Sequence, residues 1–334
     1  MKKVKVLMVL MMVAWVAAVP VKAEGDDYEF YKKTFSQPAY KLESYEFDPN
    51  TPLVSRVKKV PDFLLESIKK MDNEDNYLPY TPTEEEMNLI KEELGALPEK
   101  YKTVLQKRLI GIYFIDNLLG NGLADWIFDQ DDNVYSYIAF NPRSLKLGIN
   151  ELVTNKENTC FINDDSTVKV SIDCGNELPG FVYILLHETS HLADANVNIT
   201  PYVEPLFSEY FGFEGKNRNF VKNVWADYRT PAKKADFPYR SKITVYGFNN
   251  GPKIKLSNAK AVYAQFKKTP FASLYSTTNW GDDFADYFTY YHITQKLKQP
   301  YRITVKDNSG EFVYEPMKSR LVRKRFKIVE ALYK

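Results

Sequence analysis

The residues best placed for chemistry are His187, Glu188 and His191, within Leu185-Leu186-His187-Glu188-Thr189-Ser190-His191-Leu192-Ala193-Asp194. On a helix, side chains four residues apart lie one turn above another, so both imidazoles can reach a single metal ion. Glu188 points about 100° round the axis, which puts it beside the metal rather than on it. Two neutral nitrogen ligands, an open position for water and a carboxylate to take the water's proton are what metal-assisted hydrolysis needs. The competing account is a buried helix that happens to carry two histidines. The 334 residues hold 3 histidines, and two of them fall in this motif, so coincidence is the poorer account.

A catalytic zinc takes three protein ligands plus water. Position 197 is Val, which excludes the extended three-histidine form of the motif, and the remaining His292 reads as structural. The best source of a third ligand is Asn279-Trp280-Gly281-Asp282-Asp283-Phe284-Ala285-Asp286-Tyr287-Phe288. As a helix it sets Asp282 and Asp286 on one face, with Phe284, Tyr287, Phe288 and Tyr291 toward the core. One carboxylate can then bind metal while the other accepts an N–H from a ligating imidazole. An acidic helix start favoured by the backbone dipole is the plain alternative. Asp283, Glu204 and Glu209 compete as ligands. Asp194 orients a ligand, caps the C-terminal turn of the motif helix or sits in solvent.

The stretch Thr269-Pro270-Phe271-Ala272-Ser273-Leu274-Tyr275 through Asp282-Asp283-Phe284-Ala285-Asp286-Tyr287-Phe288 resembles the second metal motif of the anthrax lethal factor-like zincin metallopeptidases. In that family a Tyr precedes a helix of the type Glu-x-Phe-Ala-Glu, whose first acid ligates zinc. His187-Glu188-x-x-His191-x-x-Asp194 resembles the first motif. The resemblance implies one catalytic Zn2+ held by His187, His191 and Asp282, with Glu188 as general base. It implies Asp286 behind the ligands and Tyr275 as donor to the oxyanion. It covers two short motifs within 181–292. Aspartate stands where the family has glutamate at both 282 and 286, and the long separation of the motifs implies an insertion within 210–268.

The elements around these motifs divide the chain into a leader (1–23), an N-terminal accessory region (24–97) and a zincin-like α+β catalytic domain (98–334). In the leader, Lys2, Lys3 and Lys5 precede an uncharged apolar run from Val6 to Val19, and Val21-Lys22-Ala23 fits a cleavage site. The run is short of the roughly 20 residues that span a bilayer. The expected product is an exported protein, periplasmic or secreted, with no membrane attachment after cleavage. Without the leader's four lysines the charge balance is 41 basic to 43 acidic residues. That leaves no basic stripe to recruit nucleic acid.

Pro61–Met71 has helical spacing. Thr81-Pro82-Thr83-Glu84-Glu85-Glu86 opens a second helix behind a threonine cap, and Pro98–Leu109 reads as a third. Strands are expected at 110–115, 126–128 and 134–140, with Tyr135–Phe140 taken as the edge that pairs with an extended substrate. Cys160 and Cys174 bracket a predicted hairpin, and in an oxidising compartment a disulfide across its base is expected. Lys318–Lys334 reads as a basic amphipathic helix with a solvated Lys/Arg face. The expected function is an exported zinc metallopeptidase acting on peptide or protein. A binding protein on a catalytically weak zincin scaffold and a zinc amidase acting on cell wall remain alternatives.

Overall fold

The computed structural model describes residues 33–131, 133–202 and 217–334. The leader expected over 1–23 and the competing ligands Glu204 and Glu209 lie outside the described residues. The architecture is α+β. Helix α1 (Asp62–Asp72) leads to a short strand β1 (Leu78–Tyr80). In α2 (Glu84–Ala96), Thr83 and Glu86 form a reciprocal capping box, which satisfies two otherwise unpaired backbone N–H groups. Next come α3 (Glu99–Arg108), β2 (Leu109–Asp116), β3 (Gly122–Phe128) and β4 (Val134–Phe140).

These strands form a four-stranded sheet in the order β1-β2-β4-β3. β3 and β4 are an antiparallel hairpin in register from Gly122↔Phe140 to Phe128↔Val134, and β2 docks parallel to the far side of β4. Tyr135–Phe140 is therefore interior, and the edge expected there is β3 instead. A hairpin turn shows that two strands are neighbours but not which of them a third strand joins. Lys41 bridges Phe128 at one end of the β3 edge.

Both faces of the sheet are buried, which is why its strands read as near-continuous apolar runs. On one face Ile112, Phe114, Ile138 and Phe140 pack with Phe181, Ile184 and Leu185. On the other Ile110, Tyr113, Ile115 and Ile127 pack with Phe35, Tyr40, Leu64 and Ile68. Buried Arg56 donates to the carbonyls of Leu105 and Leu109, both at 2.6 Å, tying the N-terminal residues to the end of α3. The boundary expected at 97/98 does not separate two cores, because residues before it supply a strand and cover a face of the same sheet.

Beyond the sheet lie α4 (Ile149–Asn158), β5 (Phe161–Ile162), β6 (Lys169–Asp173), α5 (Gly180–Val197), β7 (Ile254–Lys255), α6 (Ala259–Phe266), α7 (Trp280–Tyr291), β8 (Arg302–Asp307) and β9 (Gly310–Tyr314). The hairpin expected between Cys160 and Cys174 does not form. β5 pairs with β7, whereas β6 joins β8 and β9 in a separate sheet. Both cysteines are buried and free, so the expected disulfide is corrected as well, since no common ladder joins the two ends of that segment. The C-terminal run breaks into short helices at 320–323 and 326–330, with Val322 and Val329 inward. Arg325, expected on a solvated face, is buried. Among the described residues no helix is long and apolar enough to cross a membrane.

Candidate metal centre

Helix α5 carries the histidine motif, and every residue from Gly180 to Asp194 in it is buried. It is buried on all sides, so it runs between the sheet and other helices instead of lying on the surface. Gly180 permits its tight entry: a Cβ there would lie 2.8 Å from the Leu152 side chain and 3.0 Å from the Leu147 carbonyl oxygen. Thr189 and Ser190 return their hydroxyls to the carbonyls of Leu185 and Leu186, both at 2.6 Å. Polar side chains in this dry helix are thereby satisfied locally.

Helix α7 packs against α5 and is buried along its whole length. Asn279 caps it, its Oδ1 accepting from the Asp282 amide at 2.9 Å. Asn279 Nδ2 also donates to Asp282 Oδ2 at 2.6 Å, and the Thr278 hydroxyl donates to the same oxygen at 3.1 Å. That carboxylate is thus held by one oxygen. The other, Oδ1, is buried without a hydrogen-bond partner. It lies 3.6 Å from His187 Nε2 and 3.7 Å from His191 Nε2, and the two Nε2 atoms are 3.3 Å apart. Metal–ligand bonds of about 2.0–2.1 Å at tetrahedral angles place ligand atoms about 3.3 Å from one another. His187, His191 and Asp282 therefore form a triangle of the size that can hold a metal ion.

The neighbouring carboxylates separate by helix angle. Asp283, one residue on, is turned away into a bidentate ion pair with Arg325 and also accepts from Trp225 Nε1 at 2.9 Å, which removes it as a ligand. Asp286, one turn on from Asp282, accepts from His187 Nδ1 at 2.9 Å. With Nδ1 protonated by this bond, the Nε2 lone pair faces the triangle. The Tyr183 hydroxyl (2.5 Å), the Ser273 hydroxyl and Lys156 Nζ (3.1 Å) also bond Asp286. Burial opposes ionisation of Asp286, but Lys156 and His187 outweigh it and hold the carboxyl well below its ordinary range. Lys156 is itself buried, with its ammonium over the rings of Tyr183 (4.6 Å) and Tyr275 (4.7 Å). His187 sits between those same two rings.

The charges ask for a cation. Burial by itself lowers an imidazole pKa, yet Asp282 and Asp286 together hold His187 up at about 9. His191, farther from Asp286 and beside His187, is pushed well down, chiefly by burial. Metal ligation would require both imidazoles neutral, and with Asp282, Asp286 and Glu188 ionised only Lys156 would then oppose three carboxylates, an imbalance one divalent ion would cancel. Burial pushes the Glu188 carboxyl up to about 7, with His187 opposing.

Glu188, His187, His191 and Tyr275 line one cavity of about 30 Å³, bounded on the other side by Asn121 and the β3 residues Gly122, Leu123 and Ala124. That volume holds one or two waters. Tyr275 stacks on His187 with ring centroids 5.6 Å apart. Asp194 is elsewhere: its carboxylate accepts from the amides of Ile199 (2.9 Å) and Thr200 (2.8 Å) and from the Thr200 hydroxyl. Of the roles open to it from sequence, these bonds make it a cap on the chain leaving α5 and not a group behind the ligands. His292 pairs through Nδ1 with the Tyr333 hydroxyl at 2.8 Å, away from the triangle.

Lys156, Tyr183, Ser273 and Tyr246 belong to the site or its wall and were not singled out from sequence. Tyr183 and Ser273 lie one turn before His187 and two residues before Tyr275, and that proximity was a usable signal. Lys156 and Tyr246 arrive from distant segments and left none. No family model, no curated protein and no solved structure matches the chain.

Proposed function

We propose that the chain is an exported single-zinc metallopeptidase, zincin-like in the arrangement of its catalytic unit, acting on peptide or protein substrates. The observation that carries this reading is Asp282 Oδ1, a buried carboxylate oxygen with no hydrogen-bond partner, closing a triangle with two imidazole nitrogens. Leaving such an oxygen unsatisfied is costly, and a cation is the partner its surroundings fit. Two nitrogens and one oxygen favour zinc over the all-oxygen sites of magnesium or calcium. Bound there, zinc polarises a scissile carbonyl and makes water a competent nucleophile at neutral pH.

The chain's own groups supply the rest. Glu188 lines the cavity beside the triangle, where its carboxylate is placed to accept a proton from water and return it to the leaving amine. Tyr275 keeps its phenolic proton because burial raises it well above the ordinary range, so it can donate to the oxygen where charge develops. Asp286 fixes the His187 tautomer and Lys156 neutralises Asp286. The β3 edge beside the cavity offers backbone groups to an extended substrate.

The test is zinc content together with cleavage of a peptide library. Wild type is expected to carry one zinc per chain; Glu188→Gln keeps it while losing about 10²–10⁴-fold in rate; Asp282→Ala loses the metal. Zinc retained by Asp282→Ala, or no zinc in wild type after reconstitution, sinks the proposal.

A further inference from the structure

We infer that Tyr246 is a second hydroxyl donor to the reacting carbonyl oxygen, aimed by Asn121 and Arg143. The inference rests on the peptidase reading and adds a residue from the segment that separates the two metal motifs. Tyr246 lines the cavity shared by Glu188, His187 and Tyr275, and also a polar cavity of about 700 Å³ on its other side, so it stands between the reacting groups and that larger space.

The direction of its hydrogen bond follows from donors that cannot accept. Arg143 Nε donates to Asn121 Oδ1 at 3.1 Å, and another guanidinium nitrogen of Arg143 donates to the Gly120 carbonyl at 2.5 Å. A guanidinium has no acceptor, so the Asn121 amide has one satisfactory orientation, with Oδ1 toward Arg143. Asn121 Nδ2 is then the atom facing the Tyr246 hydroxyl at 2.7 Å, and it can only donate. The Tyr246 oxygen is the acceptor in that contact, and its own proton is left over. Among the described residues no other group bonds this hydroxyl. Burial raises the phenol well above its ordinary range against the opposing pull of Arg143, so the proton stays on the oxygen.

The backbone supports a built position. Tyr246 lies at φ 57, in the left-handed region that side chains with a Cβ seldom adopt, and Gly247 follows at φ 82. The Tyr246 amide donates to the Thr159 hydroxyl at 2.9 Å, which anchors the turn to the end of α4. Conformations of this kind persist where the surroundings over-determine them, and they concentrate at functional sites. A neutral donor with a free proton in the cavity of the general base has the polarity an oxyanion requires.

The experiment compares wild type, Tyr246→Phe and Asn121→Asp as full zinc-loaded chains. Asn121→Asp keeps the shape and the Arg143 contact but turns the amide donor into a carboxylate acceptor, which takes the Tyr246 proton for itself. Both variants are expected to keep one zinc, to bind a simple hydroxamate like wild type, and to lose about 10²-fold in kcat with little change in KM. On the Glu188→Gln background, both should weaken binding of a phosphinic peptide, whose anionic oxygen occupies the oxyanion position, by a similar factor. Wild-type kcat and phosphinate affinity in Tyr246→Phe would overturn the assignment while leaving the peptidase reading in place. So would a loss in Tyr246→Phe that Asn121→Asp does not share. A wild-type protein that loads zinc yet neither cleaves peptides nor binds the phosphinate would remove the peptidase reading itself, and the assignment with it.

Discussion

Asp286 gathers His187, Tyr183, Ser273 and Lys156 on its two oxygens, and none of these partners is a neighbour of it in sequence. A carboxylate this deeply buried is tolerable because a cation and three hydrogen-bonding groups share its charge. α5 and α7 pack closely enough that the short Asp282 side chain reaches within 3.6 Å of His187 Nε2. Two consequences are measurable. Asp286→Asn keeps the shape but loses the charge that holds the His187 tautomer, and zinc affinity is expected to fall about 10- to 100-fold in competition with a chelator. Lys156→Met leaves the Asp286 charge short of its cation and should cost about 3–5 kcal/mol of folding stability. The double variant should recover much of that loss. Strictly additive unfolding free energies in the double-mutant cycle would show that the two residues are not coupled.

Between elements, the site depends on how closely β3 approaches α5. A Cβ on Gly122 would lie 2.9 Å from Ile184 Cγ1, 3.1 Å from Phe140 Cδ1 and 3.2 Å from Glu188 Cγ. Gly122→Ala is expected to push Glu188 out of line, reducing kcat/KM between about 10- and 100-fold while zinc stays bound. Overpacking should cost about 1–3 kcal/mol. Unchanged kinetics with normal zinc would mean that Glu188 needs no such fit. This contact also marks what sequence could convey. The two helices of the site were legible because a 3.6-residue period says which side chains share a face, His187 with His191 and Asp282 with Asp286, although it left Asp283 competing as a ligand. The same period could not say that Asp283 would meet Arg325, because that pairing closes over 42 residues. Nor could alternation say which strand is the edge, or local composition tell that Lys156 is buried, since both depend on what the chain folds against.

At the scale of the whole molecule, one sheet serves two cores, with the candidate metal centre against one face and Phe35, Tyr40, Leu64, Ile68 and Tyr77 of the N-terminal region against the other. The accessory region looked separable because its loops lack periodicity, and β1, which contains Pro79, gave a weak strand signal. Its integration means that the stability of the far core supports β3, and through it the site. Asp125 is the test point, an acid within β3 that is buried close to Tyr40, Tyr45 and Tyr137. It accepts from the Trp126 amide at 2.7 Å, yet burial still raises its carboxyl to about 7. The folded chain therefore holds a proton that the unfolded chain has released above about pH 4. Stability from this group is fully present below the unfolded pKa, falls as pH rises toward 7 and is lost beyond it. Asp125→Asn removes the titration, so its stability relative to wild type should improve by up to about 4 kcal/mol between pH 4 and pH 8. Denaturant unfolding of both proteins at the two pH values reads this directly, and an equal difference at both would show that Asp125 ionises normally in the fold.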